Sequence, residues 1–174
     1  MNLFGPLSRA IALAGVLVTA GAAPVFAAPA DIALLAQYLG TWSGKGQVTG
    51  AQTEDVTCKM QLSTGNGGKL NYTGRCLIAG AQLSVTGTIA YVDANHRYEA
   101  VMNSGIGGFK GVAIGQKTGD GIVFDLKQRA NDDEGNDISM ASTVALKDHT
   151  INVTFHATFN ATGDTIDAKI PFTM

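Results

Sequence analysis

The segment VTCKMQLSTGNGGKLNYTGRCLI, residues 56–78, decides the fold. Apolar and polar residues alternate on both sides of its glycine-rich centre, and residues two apart lie on the same face of a β-strand. If Cys58 and Cys76 face each other in a hairpin, the midpoint is Gly67, within the turn at 65–68. Directly opposed cysteines are close enough to be bridged. The segment therefore predicts a β-hairpin with a Cys58–Cys76 disulfide.

The same alternation continues to the C-terminus. Clear alternation marks 42–48, 83–91, 122–126, 138–146, 151–159 and 166–172, and weaker alternation marks 98–102 and 109–115. Turn signals separate these segments, with no room for helical crossovers, and a meander of this kind closes into a barrel without exposed edges. The prediction is an all-β, antiparallel up-and-down β-barrel of about 8–10 strands with a short N-terminal helix. Asp31 is expected to cap that helix over 32–39, and Gly40 to end it.

The N-terminal residues have the composition of a secretory signal. Arg9 precedes an apolar stretch, 10–20, that is too short to span a bilayer and is followed by small residues. We expect cleavage after Ala27, which divides the chain into a signal peptide (1–27) and a β-barrel domain (28–174); a second candidate cleavage follows Ala30. An even number of cysteines is typical of an oxidising compartment, so the predicted localisation is periplasmic or secreted.

Charge and composition exclude several partner classes. The formal net charge is −2, with 12 basic and 14 acidic residues scattered along the chain. Such a chain lacks the basic surface that nucleic acids and anionic membranes attract. No nucleic-acid partner and no stable membrane insertion are expected, and the sequence does not identify a protein partner.

Gly40-Thr41-Trp42, after a short helix and at the start of the first strand, resembles the Gly-X-Trp signature of lipocalins, in which the Trp closes one end of the barrel. The longer string Gly40-Thr41-Trp42-Ser43-Gly44-Lys45-Gly46 resembles the opening of nitrobindins, ten-stranded barrels that bind haem. That resemblance implies a haem-ligating His near the C-terminus. His156 is the candidate, but it lies on the polar face of its strand and is expected to point outward, so no cofactor is predicted. A third resemblance is to small periplasmic barrels that inhibit secreted metalloproteases.

The predicted inward face is apolar. Its polar exceptions are Ser142 and the phenols of Tyr72 and Tyr91, and no catalytic or metal-binding constellation is found on it. The candidate ligand-contacting residues in the lumen are Trp42, Met60, Tyr72, Tyr91, Phe124, Met140 and Phe155. Inward glycines, Gly44, Gly46, Gly74, Gly87, Gly111 and Gly115, either permit strong coiling of the strands or leave space for a ligand.

These patterns favour an exported, soluble, non-enzymatic β-barrel that binds a small apolar ligand in its lumen. The alternative is a periplasmic protein-interaction module, similar to a protease inhibitor or an envelope factor. A small outer-membrane barrel is the third hypothesis, against which stand the low aromatic content, 7%, and a disulfide on the apolar face.

Overall fold

The computed structural model describes residues 29–105, 110–131 and 134–174. These ranges contain one α-helix, α1 (Pro29–Ala36), and ten strands. The strands are β1 (Gly40–Thr49), β2 (Thr53–Thr64), β3 (Leu70–Ile78), β4 (Ala81–Val92), β5 (Arg97–Ser104), β6 (Lys110–Thr118), β7 (Gly121–Asn131), β8 (Asp137–Lys147), β9 (Thr150–Phe159) and β10 (Thr165–Thr173). The predicted signal peptide and its cleavage after Ala27 lie outside the described residues.

The ten strands form a closed antiparallel barrel. Each strand pairs with its neighbours in the chain, and β1 pairs with β10 to complete the cylinder. The predicted up-and-down β-barrel is confirmed, and the strand number is ten, the upper end of the expected range. Closure leaves no unpaired sheet edge, which explains why a chain with this many strands needs no covering helices on its wall.

The β2–β3 hairpin has the register that the cysteines predicted. Cys58 is directly opposite Cys76, their Cα atoms are 4.0 Å apart, and the two sulfur atoms form a disulfide. Both side chains lie on the inward face, since Cys58 is buried and its neighbours on that parity, Val56 and Leu62, are buried too. The predicted disulfide is therefore confirmed.

The two ends of the barrel differ. Helix α1 covers the end at which β1 begins, where the β2–β3, β4–β5, β6–β7 and β8–β9 connections also lie; we call it the closed end. The β1–β2, β3–β4, β7–β8 and β9–β10 connections lie at the opposite end, which we call the open end. This alternation follows directly from an up-and-down meander.

Helix α1 starts earlier than the sequence predicted. It spans Pro29–Ala36, so Asp31 lies in its first turn rather than at an N-cap, and the carboxylate accepts a hydrogen bond from Tyr98 Oη at 3.0 Å. The carboxylate thus accepts a hydrogen bond from a donor on β5. Beyond Ala36, single-turn bonds such as Tyr38 N to Leu35 O carry the chain to Gly40, whose φ of 136° starts β1.

The turn at the end of β8 shows why these hairpins are tight. Asp148 and His149 have φ values of 50° and 53°, the left-handed pair that matches the twist of a two-residue hairpin. His96 also occupies a left-handed position, with φ of 48°, after the β4–β5 turn. His96 and His149 therefore lie in turns, as predicted.

Candidate functional site

The closed end of the barrel is tightly packed around Trp42. Its side chain is 0% exposed, Nε1 donates a hydrogen bond to Tyr38 O at 2.9 Å, and its ring stacks on that of Tyr38 with centroids 6.1 Å apart. Leu34 and Leu35 of α1 are buried in the same cluster. Trp42 therefore closes this end of the barrel.

Aromatic side chains extend this packed layer across the barrel. Tyr98 contacts Tyr91 and Phe124 edge-to-face, with centroids 5.0 and 6.4 Å apart. Burial, and the hydrogen bond to Asp31, raise the pKa of the Tyr98 phenol. The layer thus holds a phenol and a carboxylate in a fixed contact that ties α1 to the barrel wall.

The half of the lumen toward the open end is different. Its inward-facing side chains are apolar, yet they are only partly buried. The group includes Val48, Ile78, Leu83, Val85, Met102, Met140, Phe155, Ile166 and Ala168. Because these residues face the interior of a closed barrel, their residual exposure is to the lumen and its mouth. A lumen with apolar walls that opens at one end is the candidate functional site.

The seven predicted lumen residues fall into two groups. Met60, Tyr72, Met140 and Phe155 are partly exposed on the inward face, with Met60 and Tyr72 on the hairpin β2–β3 and the other two on β8 and β9. Trp42 and Phe124 lie in the packed layer, 0% and 2% exposed, and Tyr91 lies beside Tyr98 at the closed end. Sequence parity assigned the correct face to all seven but could not assign their depth along the barrel.

Tyr72 lies on the floor of the open half. Its Oη donates a hydrogen bond to Val101 O at 3.0 Å, so the phenol bridges β3 and β5 above Gly87 of the intervening strand. Burial raises the pKa of Tyr72 to about 12. The side chain is therefore a neutral phenol, and its O–H group already donates its hydrogen bond to Val101 O.

At five of the six inward glycines, atoms of neighbouring strands approach the backbone closely and leave no empty space beside it. Neighbouring groups occupy the place of the missing side chain: Phe172 at Gly44, the Lys169 backbone at Gly46, Val85 at Gly74, the Val101 backbone and Tyr72 at Gly87, and Phe124 with Tyr98 at Gly115. The interpretation as a ligand cavity is thus wrong for these positions, and strong coiling with filling from neighbours is correct.

Three inward polar residues of the open half were missing from the sequence prediction. Glu54 is opposite Val48, Gln128 is opposite Met140, and Ser104 is opposite Val85, so all three share the parity of the lumen. Strand β2 begins at Thr53 and β7 continues to Asn131, one or more residues beyond the apolar alternation from which the strands were inferred. Continuing the inward–outward alternation of each strand as far as the next turn signal would have identified Glu54 and Gln128 as inward residues.

The outer face of the barrel is polar. Outward positions at the waist carry the charged side chains Lys45, Lys59, Arg75, Lys127 and Lys169. Each such charge would cost about 2–4 kcal/mol at the centre of a lipid bilayer, and a lipid-facing band would instead be continuous and apolar. The outward register of the described strands therefore lacks the continuous apolar band that is typical of an outer-membrane barrel.

His156 points outward, as predicted. Its side chain is 49% exposed, its Nδ1 is 2.7 Å from Asp167 Oδ1, and its Nε2 is 3.1 Å from Thr158 Oγ1. His96 and His149 lie in turns, so none of the histidines in the described ranges faces the lumen. The residues present do not fit the histidine ligation of haem that the nitrobindin resemblance implied.

Two grooves mark the outer wall. One, of about 780 Å³, crosses β8, β9, β10 and β1 beside the His156–Asp167 pair, and its wall includes Ala141 and Lys169. The other, of about 790 Å³, lies on β4 and β5 near the closed end and includes Tyr91. Both are open depressions on the water-facing side, where an apolar molecule would be only partly covered.

Within 29–105, 110–131 and 134–174, no three His, Cys, Asp or Glu side chains lie close enough together to hold a metal ion. In the same ranges, no helix is both long enough and apolar enough to cross a membrane.

Comparison with known proteins gives a fold and no family. No protein-family model matches the chain, and no curated protein matches it. Among solved structures, Rv2717c from M. tuberculosis is similar, with a TM-score of 0.61 and 17% identity over 82% of this chain and 96% of that one. BF2706 from Bacteroides fragilis, named as a candidate outer membrane protein, matches with a TM-score of only 0.34 and 8% identity over 81% and 99% of the two chains. The first likeness shows a shared fold, and the second is too distant to support an argument.

Proposed function

We propose that this protein is an exported, non-enzymatic β-barrel that binds a small apolar molecule in the open half of its lumen. The observation that carries the proposal is the contrast between the two halves of the interior. The closed half is filled by Trp42, Tyr98 and Phe124. In the open half Val56 and Ala157 are buried, whereas most other inward apolar side chains remain partly exposed. Apolar surface that folding leaves accessible inside a barrel is stabilised when a ligand covers it.

The residues around the lumen suit an apolar ligand. Met60 and Met140 are unbranched and polarizable, so they adapt to ligands of different shape. Phe155 adds a flat aromatic surface to the wall, and Tyr72 forms the floor. The packed layer beneath leaves the mouth at the open end as the entrance.

The proposal of a binding protein rather than an enzyme rests on the lumen's side chains. Acid–base or nucleophilic catalysis needs a pair of groups with matched pKa values within hydrogen-bond reach. Along the described inward strands of the open half, the titratable groups are Glu54, at the mouth, and Tyr72, on the floor. Their positions near opposite ends of the lumen keep them from acting together on one substrate atom.

The proposed compartment is the periplasm or the exterior. The Cys58–Cys76 disulfide is consistent with an oxidising environment, and the N-terminal composition is that of a secretory signal. A natural ligand would stay bound if the protein is released from the periplasm without being unfolded and refolded.

The test combines native mass spectrometry with a pair of matched variants. Protein released from the periplasm is analysed for a bound mass that leaves on denaturation, and binding of an apolar fluorescent dye is titrated in parallel. Ala168→Phe places a ring in the lumen, because Ala168 is on the inward parity and opposite Val48, although the residue also borders the outer groove of about 780 Å³. Ala141→Phe places the same ring in the outer groove of about 780 Å³.

We expect Ala168→Phe to weaken dye binding at least about tenfold and Ala141→Phe to leave it within a factor of about two, since only the first removes lumen volume. Circular dichroism and urea unfolding of both variants verify that the barrel is intact. The reverse pattern would place binding in the outer groove and overturn the proposal.

A protein-interaction role is the second candidate. Val101 and Val112 are neighbours across β5 and β6 on the outer face, and they are 42% and 47% exposed. Large contiguous apolar patches mark contact surfaces, and this pair would lie at the centre of such a patch. This role would be favoured if native mass spectrometry shows the polypeptide without a bound molecule and if Ala168→Phe leaves the dye affinity unchanged.

A further inference from the structure

The hydrogen-bond donors inside the open half of the lumen are largely in use. Tyr72 Oη donates to Val101 O at 3.0 Å, and Ser142 Oγ donates to Thr154 O at 3.0 Å. Gln128 Nε2 directs one of its two N–H groups to Lys110 O at 3.5 Å. The oxygens of these three side chains keep their lone pairs, so the wall offers a ligand mainly acceptors.

Glu54 adds a charged acceptor at the mouth. It lies on the inward face of β2, partly buried and opposite Val48, and none of the described residues donates a hydrogen bond to it. Strands β2 and β7 are five apart in a ring of ten, so Glu54 and Gln128 lie on opposite walls. A partly buried carboxylate beside apolar walls is stabilised by a cationic or hydrogen-bond-donating partner.

Positive charge is absent from the same space. In the open half of the described strands, every Lys and Arg lies on the outward parity, and the inward Lys117 is at the closed end, opposite Ile122. An anionic ligand group would therefore enter the lumen without a cationic partner and in the presence of Glu54. The desolvation of such a group would be uncompensated.

The rim of the open end carries negative charge, as Glu54 does. Among the described residues, its carboxylates are Glu54, Asp55, Glu134, Asp137, Asp164 and Asp167, and its cations are Lys110 and Arg129. Lys169 is level with Asp55, because both are opposite Gln47, and carboxylates still outnumber cations. Arg129 is paired with Asp137, and this pair holds the pKa of Asp137 below its usual value. The field at the mouth is therefore negative, which attracts cations and repels anions before they reach the lumen.

We infer that the lumen selects apolar molecules that carry a protonated amine, and that it discriminates against carboxylates of the same length. The ammonium group would lie against Glu54 at the mouth while the chain covers Met140, Phe155 and Met60. This inference rests on the proposed binding in the lumen and adds the class of ligand.

The test uses three probes with one hydrocarbon chain: dodecylamine, dodecanol and dodecanoate. Each is titrated against the dye-loaded protein near neutral pH and below its critical micelle concentration. The expected order of affinity is amine, then alcohol, then carboxylate. Glu54→Gln should weaken amine binding about tenfold, the effect typical of losing one charge-assisted hydrogen bond, and leave the alcohol unchanged.

Asp55→Asn is the matched control, because Asp55 is adjacent on β2 and points outward. It removes the same charge from the rim without touching the lumen, so the amine affinity should change by less than a factor of about two. Equal effects of Glu54→Gln and Asp55→Asn would reduce the preference to general electrostatics and overturn the assignment to Glu54.

Two failures are distinguishable. If dodecanol displaces the dye, Ala168→Phe blocks it, and the carboxylate binds as tightly as the amine, then lumen binding stands and the amine selectivity is wrong. If none of the three probes displaces the dye and Ala168→Phe has no effect, the lumen itself is not a binding site and both proposals fall.

Discussion

At the scale of single residues, the most constrained positions are those where two strands come closest. A Cβ atom added at Gly87 would overlap Val101 O and the Tyr72 phenol, and one at Gly46 would overlap Lys169 O. Backbone atoms cannot move aside as a side chain can, so these glycines are required for closure of the coiled wall. The same residue type at an exposed turn has no such role.

Gly87→Ala should therefore destabilise the barrel by more than about 2 kcal/mol, in the range of overpacking in a closed core. The matched control is Gly105→Ala, where the nearest atom to an added Cβ, Ser84 O, is 3.6 Å away. Urea unfolding followed by tryptophan fluorescence measures both, since Trp42 reports on the packed end. Equal unfolding midpoints for the two variants would contradict the close approach at Gly87.

Alkaline pH should destabilise the protein through its phenols. The pKa of Tyr72 is raised by burial from 10.0 to about 12, so above pH 10 the unfolded chain loses a proton that the folded chain retains. The unfolded state then binds fewer protons, and the free energy of unfolding falls between about pH 10 and about pH 12. Below pH 10 the contribution of this group is constant.

Urea unfolding at several pH values through this window measures the effect. Tyr72→Phe should make the fall of the unfolding free energy with pH shallower. Part of the fall should remain, because the pKa of Tyr98 is also raised. An unchanged decline in Tyr72→Phe would show that the Tyr72 phenol titrates as in the unfolded chain.

At the scale of elements, the β2–β3 hairpin is the best-defined unit. The disulfide joins residues 18 apart in the sequence at directly opposed positions near the middle of its two strands. Its neighbours on the inward face, Val56 and Leu62, are buried, while Met60 and Tyr72 face the lumen. The hairpin therefore fixes part of both the core and the candidate site.

Removing the disulfide should lower the free energy of unfolding by about 3 kcal/mol, mainly because the unfolded chain gains freedom in a short loop. The comparison is between oxidised protein, reduced protein and the double variant Cys58→Ala with Cys76→Ala, all in urea. The reductant should shift the midpoint of the native protein and leave that of the double variant unchanged. Equal midpoints for oxidised and reduced protein would contradict the prediction.

Helix α1 illustrates the opposite case, an element whose details depend on its partners. The sequence predicted a helix of about the right length, but Asp31 makes its contact with Tyr98, on a strand 67 residues away in the chain. A capping rule considers only the nearest residues. The helix boundary therefore shifted, while its role of covering the barrel end held.

At the scale of the whole molecule, the barrel separates packing and charge along its axis. The aromatic layer and α1 fill the closed end, the basic side chains circle the waist, and carboxylates predominate at the open rim. A chain with a net charge of only −2 thereby acquires a negative mouth above apolar walls. The proposed preference for an amine depends on this distribution and not on the overall charge.

The strands, their inward faces, the disulfide and the outward direction of His156 could all be predicted from the sequence. They follow from a period of two, from turn residues and from the symmetry of Cys58 and Cys76 about Gly67, all of which are local. The depth of Trp42 or Phe124 along the axis could not be predicted, because it depends on the stagger between strands far apart in the chain.

The sequence by itself determined an up-and-down barrel, because alternation and hairpin turns leave no other way to bury one apolar face of so many strands. Only the tertiary structure decided that there are ten strands, that neighbours fill the space beside five of the inward glycines, and that most inward side chains of the open half stay partly exposed. The physical reason is that ring closure fixes strand stagger and curvature together. That closure places Glu54 at the mouth and the rings of Trp42 and Phe124 at the sealed end.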